Sequence, residues 1–173
     1  MYTLAIDPGA HPGYSIVDSA DLIDRPRFCK RAFPRVVWLA TRWVLPPNPN
    51  RISAVATEGQ DPSAKRGSKA REEDILTLAA TRGAQLYRAC VEIGAPGYVL
   101  PVKTWKGVLL PGFGSADKAV YCNRIEAELT PEEMQLLAQF TGDRRLDVLD
   151  SIGINWALYA LGYPVKYHWK EPP

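Results

Sequence analysis

The chain has 173 residues, 46% hydrophobic and 23% charged, which is the usage of one globular domain with a sizeable core and excludes disordered and fibrous architectures. Its 21 basic and 19 acidic residues leave a formal charge of +2, too small to identify a nucleic-acid partner, so the distribution of charge must decide that question. Cys29, Cys90 and Cys122 are odd in number, far apart and without CxxC spacing, which argues against a disulfide framework or zinc site and for a reducing cytoplasm. The first seven residues carry no basic leader and no apolar run approaches about 18 residues, so no membrane segment is expected.

In chain order, residues 4–6 and 14–17 are β-prone runs separated by a turn rich in proline and glycine, which predicts a hairpin with Asp7 at its mouth. A basic stretch with Arg25, Arg27, Lys30, Arg31 and Arg35 follows. Residues 36–45 mix helical and strand spacings and are read as a helix, stopped by Pro46, Pro47 and Pro49. Residues 52–57 read as a strand running into Glu58. The segment 61–71 holds Lys65, Arg66, Lys69 and Arg71 with no apolar residue larger than Ala64, the composition of an exposed loop. Apolar positions from Ile75 to Ile93 recur at helical spacing behind Glu72, Glu73 and Asp74, predicting a helix over 72–93.

A short strand is expected at 97–100, and then a helix over 116–129 capped by Ser115. Thr130, Pro131 and Glu133 form a helix-start signature, so a further helix is expected over 131–140 and a last one over 147–161. Nothing divides the chain, and 1–173 reads as one α/β domain.

Singly, the acidic residues are unremarkable surface groups. Together their positions say more: Asp7 and Glu58 each end an apolar strand, and Asp147 and Asp150 sit at i and i+3 on one face of an apolar helix. Carboxylates gathered in a small volume raise one another's pKa unless a cation neutralises them. Oxygen-only ligands suit Mg²⁺ or Mn²⁺, and two such ions about 3.5 to 4 Å apart activate water and stabilise a leaving oxygen in phosphodiester cleavage. From spacing alone, this metal site and ordinary solvated acids are equally good readings.

The ordered motifs resemble the RuvC-type Holliday-junction resolvases of the RNase H-like nucleases. Ile6-Asp7-Pro8-Gly9 with Gly13-Tyr14-Ser15-Ile16-Val17 is similar to the family's opening motif, and Thr57-Glu58-Gly59-Gln60 to its second acidic strand. Gly114-Ser115-Ala116-Asp117-Lys118 resembles the third motif, and Asp147-Val148-Leu149-Asp150-Ser151-Ile152 the final acidic helix. An early Asp-Pro-Gly alone also occurs in sugar-kinase and actin-like folds; four motifs in order are far more specific. The resemblance implies an RNase H-like fold, a mixed central sheet flanked by helices, with Asp7, Glu58, Asp147 and Asp150 holding Mg²⁺ or Mn²⁺, two ions per site. It implies a homodimer that nicks a four-way DNA junction in pairs to leave 5′-phosphates. It also implies that Lys118 serves at the scissile phosphate, where a reading without the resemblance makes it a surface lysine.

The chain departs from the family pattern twice. Its only histidines, His11 and His168, lie far from Asp147, so the site is all carboxylate; His11 reads as a solvated turn residue and His168 stays unassigned. The loop after Glu58 lacks the aromatic residue that relatives insert at the junction centre, leaving Lys65, Arg66, Lys69 and Arg71 to contact phosphates. Lys103, Trp105 and Lys106 form a second candidate DNA-binding group, in which Trp105 reads equally as a stacking or a core residue. Rival expectations are an RNase H-like nuclease for other branched or RNA-containing substrates, or a non-catalytic branched-DNA-binding module.

Overall fold

The structure, a computed structural model, describes residues 1–9, 11–20, 33–59, 72–111 and 117–162, without the side chains of 72–76 and 78. Strands β1 (Tyr2–Asp7), β2 (Gly13–Asp18), β3 (Arg35–Ala40), β4 (Ile52–Gly59) and β5 (Gly97–Pro101) form one sheet in the order β3-β2-β1-β4-β5. β1 to β3 make an antiparallel meander, while β4 and β5 run parallel to β1. The parallel step from β4 to β5 needs a crossover, which helix α1 (Glu72–Ile93) supplies. Helices α2 (Val102–Leu109), α3 (Lys118–Glu128), α4 (Pro131–Leu137) and α5 (Gly142–Ala160) follow.

Strand side chains alternate between faces, and the sheet divides two cores accordingly. Leu4 and Ile6 of β1 join Tyr14, Ile16, Val55, Ala89 and Ile93 on the face that α1 covers. Ala5, Val17, Ala54 and Ala56 face the other way, onto α5. Thr3 and Ser15 point the same way, and buried Asn155 of α5 accepts from the Thr3 hydroxyl at 2.8 Å while donating to the Ser15 carbonyl at 2.9 Å. By the same alternation, Asp7 and Glu58 belong to the α5 face.

α5 is buried at every position from Val148 to Leu158, because it lies between the sheet and helices α2 and α3. That depth depends on two small residues. A Cβ on Gly13 would sit 2.0 Å from the Asp147 carbonyl oxygen, so only glycine lets the start of β2 meet the α5 backbone. A Cβ on Gly153 would lie 2.9 Å from both the Trp105 ring and Leu109.

The segment expected as a helix over 36–45 is instead strand β3 followed by a loop. Its register shifts against β2: Ile16 pairs with Trp38 and Val17 with Val36, leaving Val37 as an extra, exposed residue. The bulge turns Val36 and Leu39 into the same core, and that spacing of three imitates a helical stripe. The backbone N–H of Val36 donates to Glu133 Oε1 at 2.6 Å, so the buried Glu133 both closes the expected capping box with Thr130 and seals the bulge. α3 runs from Lys118 behind Asp117, and the expected start at Ala116 and cap at Ser115 lie outside the described residues. α4 is three residues shorter than expected, α5 begins at Gly142, before the expected start at Asp147, and α2 has no counterpart among the expected elements. The other expected strands and the helix over 72–93 are present, and Cys90 and Cys122 are free thiols. Among the described residues no helix is long and apolar enough to cross a membrane.

Candidate metal centre

Parallel strands end at the same edge of a sheet, and the pairing of Ile6 with Thr57 brings Asp7 and Glu58 to neighbouring strand ends. The Thr57 hydroxyl donates to the Ile6 carbonyl at 3.1 Å and holds the two strands together one residue before the acids. The close approach at Gly13, which pairs with Asp7 across the hairpin, brings Asp147 to the same place from α5. Asp150 follows one turn later.

Lys118, at the first position of α3, ties the helical pair: its Nζ lies 3.2 Å from Asp147 Oδ1 and 3.0 Å from Asp150 Oδ2. Glu58 is held from both faces of the sheet. Arg82 of α1 donates to Oε1 at 3.3 Å, and the indole N–H of Trp105 on α2 donates to Oε2 at 3.2 Å. Asp7 is pushed up to about 9, chiefly by burial, then by the charges of Asp150 and Glu58, with Lys118 opposing and Asp147 adding a smaller push. Asp150 is also raised, by burial, against the pull of Lys118 and a hydrogen bond from Tyr121. Lys118 stays protonated: burial alone would lower it, but the Asp150 charge and hydrogen bonds to Asp150 and Asp147 raise it above the usual lysine value.

Among the described residues no three His, Cys, Asp or Glu side chains are arranged to hold an ion as they stand, and Lys118 spans two of the carboxylates. The donor set nevertheless fits a hard divalent cation. All four groups are carboxylates, Asp150 Oδ1 is buried with no hydrogen-bond partner, and burial, then the neighbouring negative charges, keeps Asp7 from ionising easily. A cation bound there would share or contest with Lys118 the two carboxylates that the lysine holds.

The remaining expected site residues scatter. Lys106 packs its ammonium 4.3 Å from the centre of the Tyr121 ring and 5.3 Å from that of Trp105, close enough for its charge to lower Asp150. Lys103 is exposed on the same helix, and Arg35 is exposed on β3. Trp105 is fully buried, so the core reading holds and the stacking reading does not. His11 is exposed in the hairpin turn. Lys65, Arg66, Lys69 and Arg71, the strip from Arg25 to Arg31, and His168 lie outside the described residues. Sequence reasoning did not find Arg82, a 90% buried guanidinium in a helix of mixed charge, or Tyr121, although Tyr121 follows Lys118 by three residues and so shares its helical face.

No family model matches the sequence, and no curated protein is significantly similar to it. Solved structures do match. The Thermus thermophilus RuvC structure aligns with 94% of this chain and 97% of its own at 18% identity and a TM-score of 0.55. T. thermophilus RuvC in complex with Holliday junction substrate aligns with 92% of this chain and 94% of its own at 21% identity, with the same TM-score of 0.55. With its mixed sheet of order β3-β2-β1-β4-β5 and its flanking helices, the chain has the RNase H-like fold of these RuvC structures.

Proposed function

We propose that the chain is a structure-selective DNA endonuclease that resolves four-way junctions by divalent-metal-dependent paired nicking. The observation that supports this most is the convergence of Asp7, Glu58, Asp147 and Asp150 at one sheet edge, in a fold shared with a RuvC bound to a junction. These four carboxylates would hold Mg²⁺ or Mn²⁺, which supply Lewis acidity to activate water and to offset charge on the phosphoryl and departing 3′ oxygens.

The chain's own groups do the rest. Lys118, freed from one carboxylate, offers its ammonium to the scissile phosphate, while the other carboxylate keeps it at the site. Trp105 and Arg82 keep the Glu58 carboxylate turned into the edge. Lys103 and Lys106 on α2, with the loop cations that follow Glu58 in sequence, contact phosphates and give affinity without sequence information. Two copies are needed for paired cuts, and α1 is the proposed contact, since Tyr87 and Val91 are 69% and 62% exposed and stand one turn apart.

The test is cleavage of an end-labelled four-way junction, a fork, an RNA–DNA hybrid and a linear duplex, each with Mg²⁺ or with EDTA. Metal-dependent, symmetrical nicks confined to the junction support the proposal. Equal cleavage of the hybrid or fork moves the activity to another RNase H-like substrate, and junction binding without cleavage in either metal makes the chain a binding module.

A further inference from the structure

Two of the four carboxylates are met by the polar groups of buried aromatic side chains. The Trp105 indole N–H donates to Glu58 Oε2 at 3.2 Å, and the Tyr121 hydroxyl is close enough to Asp150 to influence its charge. Both rings are about as buried as a side chain can be, at 0% and 2% exposure. They pack edge to face, with centroids 5.5 Å apart and planes at 87°, the arrangement that aromatic quadrupoles favour. Lys106 lies across both rings, and Gly153 of α5 leaves the Trp105 ring the space it occupies. A carboxylate on β4 and another on α5 are thus joined through one rigid aromatic pair carried by α2 and α3.

We propose that Trp105 and Tyr121 are positioning residues, a buried aromatic bridge that sets the orientation of Glu58 and Asp150 relative to each other. The inference rests on the metal-site reading above. Each carboxylate oxygen has two lone pairs, so Glu58 can keep the indole bond while its other lone pairs take a cation. Partners of this kind, one step removed from the metal, fix ligand direction, and their loss typically weakens metal binding about 10- to 100-fold. A core aromatic without this role would affect folding and leave affinity alone.

The experiment is calorimetric titration of the full chain with MnCl₂, for the wild type, Trp105→Phe, Tyr121→Phe and Ile125→Val. The phenylalanine variants keep a ring and remove only the donor, and Ile125→Val loosens the same core without touching a donor. We expect Mn²⁺ to bind about 10-fold more weakly to each phenylalanine variant and unchanged to Ile125→Val. With diamagnetic Mg²⁺, the indole N–H resonance that vanishes in Trp105→Phe should shift in the wild type. Affinities within twofold of wild type in folded Tyr121→Phe, an equal loss in Ile125→Val, or an indole resonance indifferent to Mg²⁺ would overturn the inference. If wild-type protein shows no saturable binding, the metal-site reading itself fails and takes the inference with it.

Discussion

Lys118 is the residue on which the electrostatics of the site turn. Its single positive charge is shared between Asp147 and Asp150, so it competes with any divalent cation for the same carboxylates. Lys118→Met should therefore tighten Mn²⁺ binding several-fold in calorimetry. The same change should slow junction cleavage about 10²- to 10³-fold, the usual cost of removing one group aimed at developing charge. Weaker Mn²⁺ binding would show that the lysine supports the cation site instead of competing for it. Asp7, Glu58, Asp147 and Asp150 are legible in sequence because strand ends and an i, i+3 pair are short-range facts, whereas Lys118 enters only through the family resemblance and by its own surroundings reads as a surface lysine. Arg82, Trp105 and Tyr121 are not legible, since a helical arginine reads as solvated surface and buried aromatics read as core until the third dimension shows which carboxylate each one faces.

Among the elements, α5 carries the site and Gly13 sets its position. The atoms that a side chain at residue 13 would meet are backbone, which cannot rotate away, so Gly13→Ala must push α5 off the hairpin and move Asp147 away from Asp7. Overpacking of this kind costs about 1 to 3 kcal/mol, and urea unfolding should show it together with weakened Mn²⁺ binding. Gly83 on α1 is exposed with nothing within 4 Å of its Cβ position, and Gly83→Ala should stabilise by about 0.5 to 1 kcal/mol. Equal effects at the two glycines would refute the close approach as the cause. Elements with a regular period, such as β1, β4 and α1, are readable from the sequence. β3 is not, because its bulge replaces the strand period of two by a spacing of three between Val36 and Leu39, and the buried carboxylate that seals it comes from 97 residues away.

For the whole molecule, paired nicking calls for two copies and for a surface that holds DNA. The wild type should sediment at about twice 19.2 kDa, and the double variant Tyr87→Asp, Val91→Asp as a monomer near 19.2 kDa. The variant should then nick junction strands singly. Wild-type protein that is monomeric with and without junction DNA yet still cuts in pairs would remove the dimer. Replacing Lys65, Arg66 and Lys69 together with alanine should lower the slope of log affinity against log salt by about 0.9 for each phosphate that the variant no longer neutralises. An unchanged slope would return that segment to ordinary solvated surface.

The proposal that an acidic edge cuts while basic residues elsewhere hold the DNA is tested most directly by measuring junction binding and junction cleavage side by side, in Mg²⁺, for the wild type and Asp7→Asn. The substitution removes one ligand charge and leaves Lys103, Lys106 and the loop cations in place. We expect symmetrical 5′-phosphate nicks from the wild type, no cleavage by Asp7→Asn, and junction affinity retained within tenfold or slightly improved by the removal of a repelling charge. Cleavage by Asp7→Asn within tenfold of wild type, or binding weakened by more than tenfold, would contradict it.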